Sequence, residues 1–299
     1  MENLNTTGLP GKDKVAIVTG ANSGMGMATA AALADLGYEV IMLCRNLERA
    51  EAALKQLLEE KPSRLLTLMF CNLGDLKDIR RFTDEWKQYG KTIDVLINNA
   101  GVISLDRRET VDGLEEQFGV NHIGHFLLTI RLLDYMKKGS RIVIVASGAH
   151  KVGKIHFSNY NLLKGFNVVK AYSQSKLANI LFTRELACRL KNTGITVNCC
   201  HPGAVATSIG IDRGTGFGKT FTGLLKPFFI TKEEGAQTTI YLATSKDVRK
   251  VTGKYFYKSK AAKTSVNAKS KAAAVHLFML SENITDEKLE DHIDKILMK

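Results

Sequence analysis

Tyr172 and Lys176 stand four positions apart in Ala171-Tyr172-Ser173-Gln174-Ser175-Lys176-Leu177-Ala178-Asn179. On a helix that spacing puts both side chains on one face, within reach of one small ligand. A free phenol titrates near ~10, so almost none of it is ionised at neutral pH. A neighbouring ammonium favours the phenolate and lowers that value. The pair is therefore expected to serve as a general acid or base near neutrality. The same spacing also describes an ordinary surface helix carrying a Tyr/Lys pair, so the rest of the chain has to decide.

A second chemical signal lies near the start. The β-branched run Lys14-Val15-Ala16-Ile17-Val18-Thr19 leads into Gly20-Ala21-Asn22-Ser23-Gly24-Met25-Gly26, then an alanine-rich stretch to Leu36 closed by Gly37. This reads as strand, glycine turn, helix and C-cap. Glycines let a backbone approach a pyrophosphate, and a helix N-terminus offers free N–H groups with partial positive charge. The spacing is G-x3-G-x-G, not the commoner G-x-G-x-x-G. Arg45 follows the second predicted strand (38–44), nineteen residues after Gly26. A dinucleotide fold places there an acid for a ribose 2′-hydroxyl or an arginine for a 2′-phosphate. A guanidinium grips a phosphate through paired charge-assisted hydrogen bonds, which predicts NADP(H) as cofactor. The alternative is an Arg45 that only faces solvent.

Positioning these groups requires a regular frame, and the chain supplies an alternating one. Helices are expected over 47–60, 75–88, 171–190 and 233–244. Strands are expected over 65–71, 94–97, 141–146, 195–201 and 254–257, with terminal helices at 272–280 and 285–297; a long segment over 111–137, containing Asn121-His122-Ile123-Gly124-His125, shows no clear period. Helices alternating with buried strands imply right-handed crossovers. The expected fold is α/β: a single domain with a doubly wound, Rossmann-type parallel sheet and helices on both faces. Gly20, Arg45, Asn72, Asn98, Ser147 and Pro202 all fall at carboxyl ends of strands, where such sheets bind ligands. The expected organisation is a polar extension over 1–13, a dinucleotide-binding domain over 14–260 and a C-terminal helical extension over 261–299. Within the domain, residues 204–230 hold five glycines and the apolar end Leu224-Leu225-Lys226-Pro227-Phe228-Phe229-Ile230. A loop of that length inside a compact domain suits a lid over a lipophilic substrate, or a helix pair capping the sheet.

Composition narrows the classes further. At 299 residues and 44% hydrophobic, the chain has ample material for a core. Its five cysteines form no CxxC, and Cys199-Cys200 lies in an apolar run, so free packing thiols are expected and no metal site. No apolar leader occupies the first residues and no run of about eighteen apolar residues occurs, which points to a cytoplasmic or peripherally membrane-associated chain. The net charge of +12 is concentrated late: residues 246–271 hold nine basic residues and one acid, Asp247. A solvated surface and contact with anionic lipid headgroups both fit. Nucleic acid is not expected, because no recognition motif accompanies the charge. His122, His125, His150 and His201 read as satisfied structural histidines rather than catalytic ones.

Taken together, Thr19-Gly20-x3-Gly24-x-Gly26, Asn98-Asn99-Ala100-Gly101, Ser147, Tyr172-x3-Lys176 and Pro202-Gly203 resemble the motifs of short-chain dehydrogenases/reductases in order and spacing. Ser147-x-x-His150, Ile155-His156-Phe157, Ser175 to Phe182 and His201-Pro202-Gly203 resemble the retinol dehydrogenase-like branch. The resemblance implies an NADP(H)-dependent oxidoreductase that interconverts an alcohol and an aldehyde or ketone, with a small lipophilic carbonyl or alcohol as substrate. It implies Tyr172 as acid/base and Lys176 as the group that lowers its pKa and bonds the nicotinamide ribose. Ser147 would hold the substrate carbonyl together with Tyr172, and Asn121 would hold a relay water. Gly20, Asn22, Ser23, Gly24, Met25 and Gly26 would line the phosphates, and Arg45 the 2′-phosphate. Asn72 and Leu73 would border adenine, and Asn98, Ala100 and Gly101 the ribose. Pro202, Gly203, Val205 and Thr207 complete the implied cofactor set. The family's Asp before Leu is Asn72 here, and its paired serine is Ala146-Ser147. A homodimer and peripheral membrane contact stay open, as does a non-catalytic NADP(H) sensor or membrane-surface interaction protein on the same fold.

Overall fold

The computed structural model describes residues 11–203 and 230–297. Eight strands form one sheet in the order β3-β2-β1-β4-β5-β6-β7-β8. They are β1 Val15–Thr19, β2 Glu39–Cys44, β3 Leu66–Phe70, β4 Ile93–Asn98, β5 Met136–Val145, β6 Thr196–Cys200, β7 Tyr255–Tyr257 and β8 Lys260–Ala261. Pairings from β3 across to β7 are parallel; β8 alone is antiparallel, returning on β7 through Lys258 and Ser259 at positive φ. The order reverses between β1 and β4, the place where a doubly wound sheet opens a crevice. Strand residues alternate between two cores, Val15 and Ile17 facing one and Ala16 and Val18 the other.

Helices α1 Gly24–Asp35, α2 Leu47–Glu60 and α3 Leu76–Tyr89 connect the first strands. Asn46 caps α2 and Asp75 caps α3 through side-chain oxygens that accept first-turn N–H groups. The predicted 111–137 segment resolves into a short turn, α4 Glu116–Phe118, a π-helical turn over Gly119–Gly124 and α5 His125–Leu132. Then come α6 Val168–Arg189, α7 Lys232–Thr244, α8 Lys271–Thr285 and α9 Glu290–Leu297. α8 and α9 are not loosely appended: Leu277, Phe278, Leu289 and Ile296 are buried in the same core as Phe126 and Phe182. Phe278 meets Phe126 edge-on at 5.1 Å. β5 starts at Met136, earlier than the sequence suggests, because Ile93 pairs with Met136 before a register shift at Val95.

Candidate active site

A cleft of about 300 Å³ opens along the carboxyl edge of the sheet. The β1–α1 turn forms one wall. Gly20 takes φ +64°, and a Cβ on Gly26 would collide with the Gly20 carbonyl and the Asn99 amide, so both positions need glycine. The N-cap Ser23 makes no side-chain bond to the first turn, and that turn holds no acid, which leaves the α1 N–H groups open to the cleft. Among the described residues, none that lines the cleft is an Asp or Glu. Arg45 lines it beyond β2, and Arg49, one turn further on, joins it; both are exposed and neither forms an ion pair among the described residues. Open backbone donors, two guanidiniums and no carboxylate fit a nucleotide that carries several phosphates.

The opposite wall carries the candidate chemistry. Tyr172 and Lys176 come from α6, Ser147 from the end of β5. The Ser147 hydroxyl accepts the Ala149 N–H at 3.2 Å and hydrogen-bonds Tyr172. Lys176 lies over the Tyr172 ring, its Nζ 5.6 Å from the centroid, and donates to the Val145 carbonyl at 3.2 Å. A methyl group on Gly101 would sit 3.5 Å from both Lys176 Nζ and Asn121 Oδ1, so these atoms flank one point of the floor. Asn121 is buried and spans three partners: Oδ1 accepts the Val102 N–H, while Nδ2 donates to the Val102 carbonyl and to Ser175 Oγ.

Burial reverses one expectation. Desolvation raises the Tyr172 pKa above its ordinary value, and the hydrogen bond from Ser147 only partly opposes it. Desolvation also pushes Lys176 down to about 8. The i, i+4 spacing predicts a phenol lowered by its lysine; here loss of water is the largest influence on each group.

His122, His125 and His150 are buried, His201 is half-buried, and all four are engaged. His125 Nδ1 faces the Asn121 carbonyl, an acceptor only, so Nδ1 carries the proton and Nε2 accepts from Thr19 Oγ1 at 2.9 Å. The Thr19 oxygen also takes the Asn99 and Ala100 N–H groups. His150 Nδ1 donates to the Ser147 carbonyl at 2.7 Å, and its Nε2 accepts the Ser265 N–H. His201 Nδ1 accepts the Gly203 N–H, and His122 Nε2 meets Ser281.

Most sequence-selected positions line this cleft: Gly20, Asn22, Ser23, Gly24, Met25, Gly26, Arg45, Asn72, Leu73, Ala100, Gly101, Ser147, Tyr172, Lys176, Pro202 and Gly203. Asn98 does not. Its side chain is buried beneath the floor and donates to Thr129 Oγ1, while the next residue, Asn99, faces the cleft. Strand alternation is the reason. Asn121 sits just behind the lining. Asn72 Oδ1 is spent on the Gly74 N–H, which leaves its amide N–H₂ for a ligand. Val205, Thr207 and the loop 204–230, apart from Ile230, lie outside the described residues. Sequence reading missed Arg49, which the first turn of α2 carries to the cleft and which no motif marks. No cluster of metal-ligating side chains occurs among the described residues.

Comparison with known proteins agrees with this arrangement. Residues 14–215 match the family model described as short chain dehydrogenase. Retinol dehydrogenase 14 of Mus musculus is 45% identical over 283 residues, covering 90% of this chain and 85% of that protein. Retinol dehydrogenase 13 of Homo sapiens is 44% identical over 257 residues, covering 83% and 76%. An uncharacterised protein from Mycobacterium paratuberculosis superposes with a TM-score of 0.77 at 32% identity, over 95% of this chain and 98% of its own. A short chain dehydrogenase from Burkholderia cenocepacia, solved in complex with NADP, shares the fold at TM-score 0.66 and 23% identity, over 82% and 96%. The chain therefore belongs to the short-chain dehydrogenase family, in its retinol dehydrogenase-like branch, and is an oxidoreductase of alcohol and carbonyl groups.

Proposed function

We propose that this protein reduces a lipophilic aldehyde or ketone with NADPH, using Tyr172, Ser147, Lys176 and Asn121. The observation that carries the reading is a single cleft holding a glycine turn at one end and the Ser147–Tyr172–Lys176 group at the other. Bound along that cleft, a reduced nicotinamide supplies the hydride. The α1 N-terminus and the Gly20–Gly26 turn hold the pyrophosphate, and Arg45 with Arg49 holds the 2′-phosphate. Asn99, Ala100 and Gly101 border the ribose, and Asn72 and Leu73 the adenine.

The residues on the other wall handle oxygen and proton. Ser147 accepts from Ala149, and the proton it gives to Tyr172 can turn to a substrate carbonyl that enters between them. As negative charge grows on that oxygen, Ser147 and Tyr172 bond it and Tyr172 delivers the proton. A phenol kept protonated by burial starts in the acid form that reduction needs. Lys176 restores the proton, assisted by a water held at Asn121. The retinol dehydrogenase names of the relatives and the apolar run Leu224 to Ile230 support a lipophilic substrate.

Tyr172→Phe is expected to abolish turnover while NADPH still binds. NADPH depletion across retinal, steroid ketones and medium-chain aldehydes, with cofactor binding followed by fluorescence, checks both halves. Near-normal turnover in Tyr172→Phe would sink the assignment. Arg45→Glu with Arg49→Glu is expected to raise KM for NADPH at least about 100-fold with little change for NADH, since two charge-assisted bonds contribute ~1.5–3 kcal/mol each. Equal effects on the two cofactors would remove the 2′-phosphate reading.

A further inference from the structure

The charge of this chain is unevenly spread. Residues 135–184 contain no Asp or Glu, and neither do residues 248–281. The fold lays these two acid-free stretches against each other. The Ser265 N–H bonds His150 Nε2, Asn267 Nδ2 donates to the Gly153 carbonyl at 2.8 Å, and Phe157 stacks on His276 at 4.0 Å.

Two apolar tips stand at this seam. Val266 is 83% exposed and Val152 73% exposed. Val266 lies between Ser265 and Asn267, both anchored to the turn that carries Val152, so the valines share one protrusion. Lys151 and Lys154 flank one tip, Lys263 and Lys269 the other. All four are exposed, and none forms an ion pair among the described residues. Solubility alone calls for the lysines but not for bare valines at their centre. Anionic headgroups would pair with the ring of ammoniums, and the layer just beneath them would take the valines.

We propose that this protrusion docks the protein on an anionic lipid bilayer. The turn that carries Val152 is capped by Ser147, so docking sets the lipid beside the candidate carbonyl site at the carboxyl edge of the sheet. A lipophilic substrate then has a short path from bilayer to cleft. The surface goes beyond the redox reading and stands or falls separately from it.

The test is co-sedimentation of the full chain with vesicles of phosphatidylcholine alone and of phosphatidylcholine with phosphatidylserine. Sedimentation is expected only with phosphatidylserine, and is expected to weaken as salt rises. Val152→Asp with Val266→Asp, and separately Lys151→Glu, Lys154→Glu, Lys263→Glu and Lys269→Glu together, should each lower partitioning about tenfold or more. Both variants should keep wild-type turnover of a water-soluble aldehyde, because none of these residues lines the cleft. Val266→Asp alone, at a site this exposed, covers the event that a multiple variant fails to fold. Three results would overturn the proposal: no sedimentation of the wild type with phosphatidylserine, sedimentation unchanged by the valine variants, or a single-stranded RNA that displaces the vesicles and binds the valine variant as tightly as the wild type.

Discussion

Lys176 reaches the Val145 carbonyl under the floor of the cleft, and its ammonium sits there almost out of water. Its pKa falls to about 8 from an ordinary 10.5 because burial disfavours the charge. The unfolded chain therefore holds this proton more tightly, so the residue's contribution to stability rises as pH climbs from about 8 towards 10.5. At neutral pH the buried charge costs up to about 3 kcal/mol. Lys176→Met is expected to raise the melting temperature at pH 7 and to remove activity, checked by calorimetry and turnover on the same sample. His150 makes a second residue-scale case. Its ring holds the Ser147 carbonyl from one nitrogen and the Ser265 N–H from the other. His150→Phe is expected to lower kcat about tenfold, ~1.4 kcal/mol, with KM for NADPH unchanged. His150→Asn, which keeps a donor near Nδ1, should recover most of that loss. The pairing of Tyr172 with Lys176 was legible because helical spacing is local. The direction of the tyrosine shift was not, because desolvation depends on which other elements close over it.

At the scale of elements, the π-helical turn over Gly119–Gly124 explains why the 111–137 segment resisted reading. One extra residue breaks the 3.6 period, and no local pattern announces it. Within the segment the His125 ring meets the Asn121 carbonyl four residues back. β8 is too short to carry a signal, whereas β1, β2 and β4 are buried apolar runs that alternation with helices makes plain. The end of α8 and α9 is held by a charged clasp. Glu287 meets Arg80, Arg131 and His292, and His292 also meets Asp134 at 2.8 Å. Burial opposes the Glu287 charge, but its hydrogen bonds from His292, Arg131 and Arg80 outweigh it and hold the carboxyl at about 2. Burial likewise opposes the His292 charge, and Asp134 and Glu287 raise it to about 9. The glutamate's contribution is complete above about 4.5 and fades as pH falls towards 2; the histidine's is complete below about 6.5 and fades as pH rises through 9. Protection of the 285–297 amides, relative to their intrinsic exchange at each pH, should therefore be greatest between those two values and lower at pH 9. Flat protection across that range would contradict the clasp.

At the scale of the molecule, the segment past residue 260 behaves as part of the core. Phe278 and Leu277 lie against α6, which carries Tyr172 and Lys176. Phe278→Ala should cost about 3–5 kcal/mol in chemical denaturation, as for other buried aromatics, and truncation after 260 should give an insoluble chain rather than a smaller enzyme. The overall charge of +12 hides a polarity. Carboxylates concentrate on the first half and on α9, while residues 135–184 and 248–281 hold none. A body charged this way feels a torque near any negative plane. Within a screening length, about 10 Å at 0.1 M salt, the field would swing its acid-free side to the front before first touch. Encounters would then be mostly well aimed, and dilution of salt would speed capture more than it slows escape.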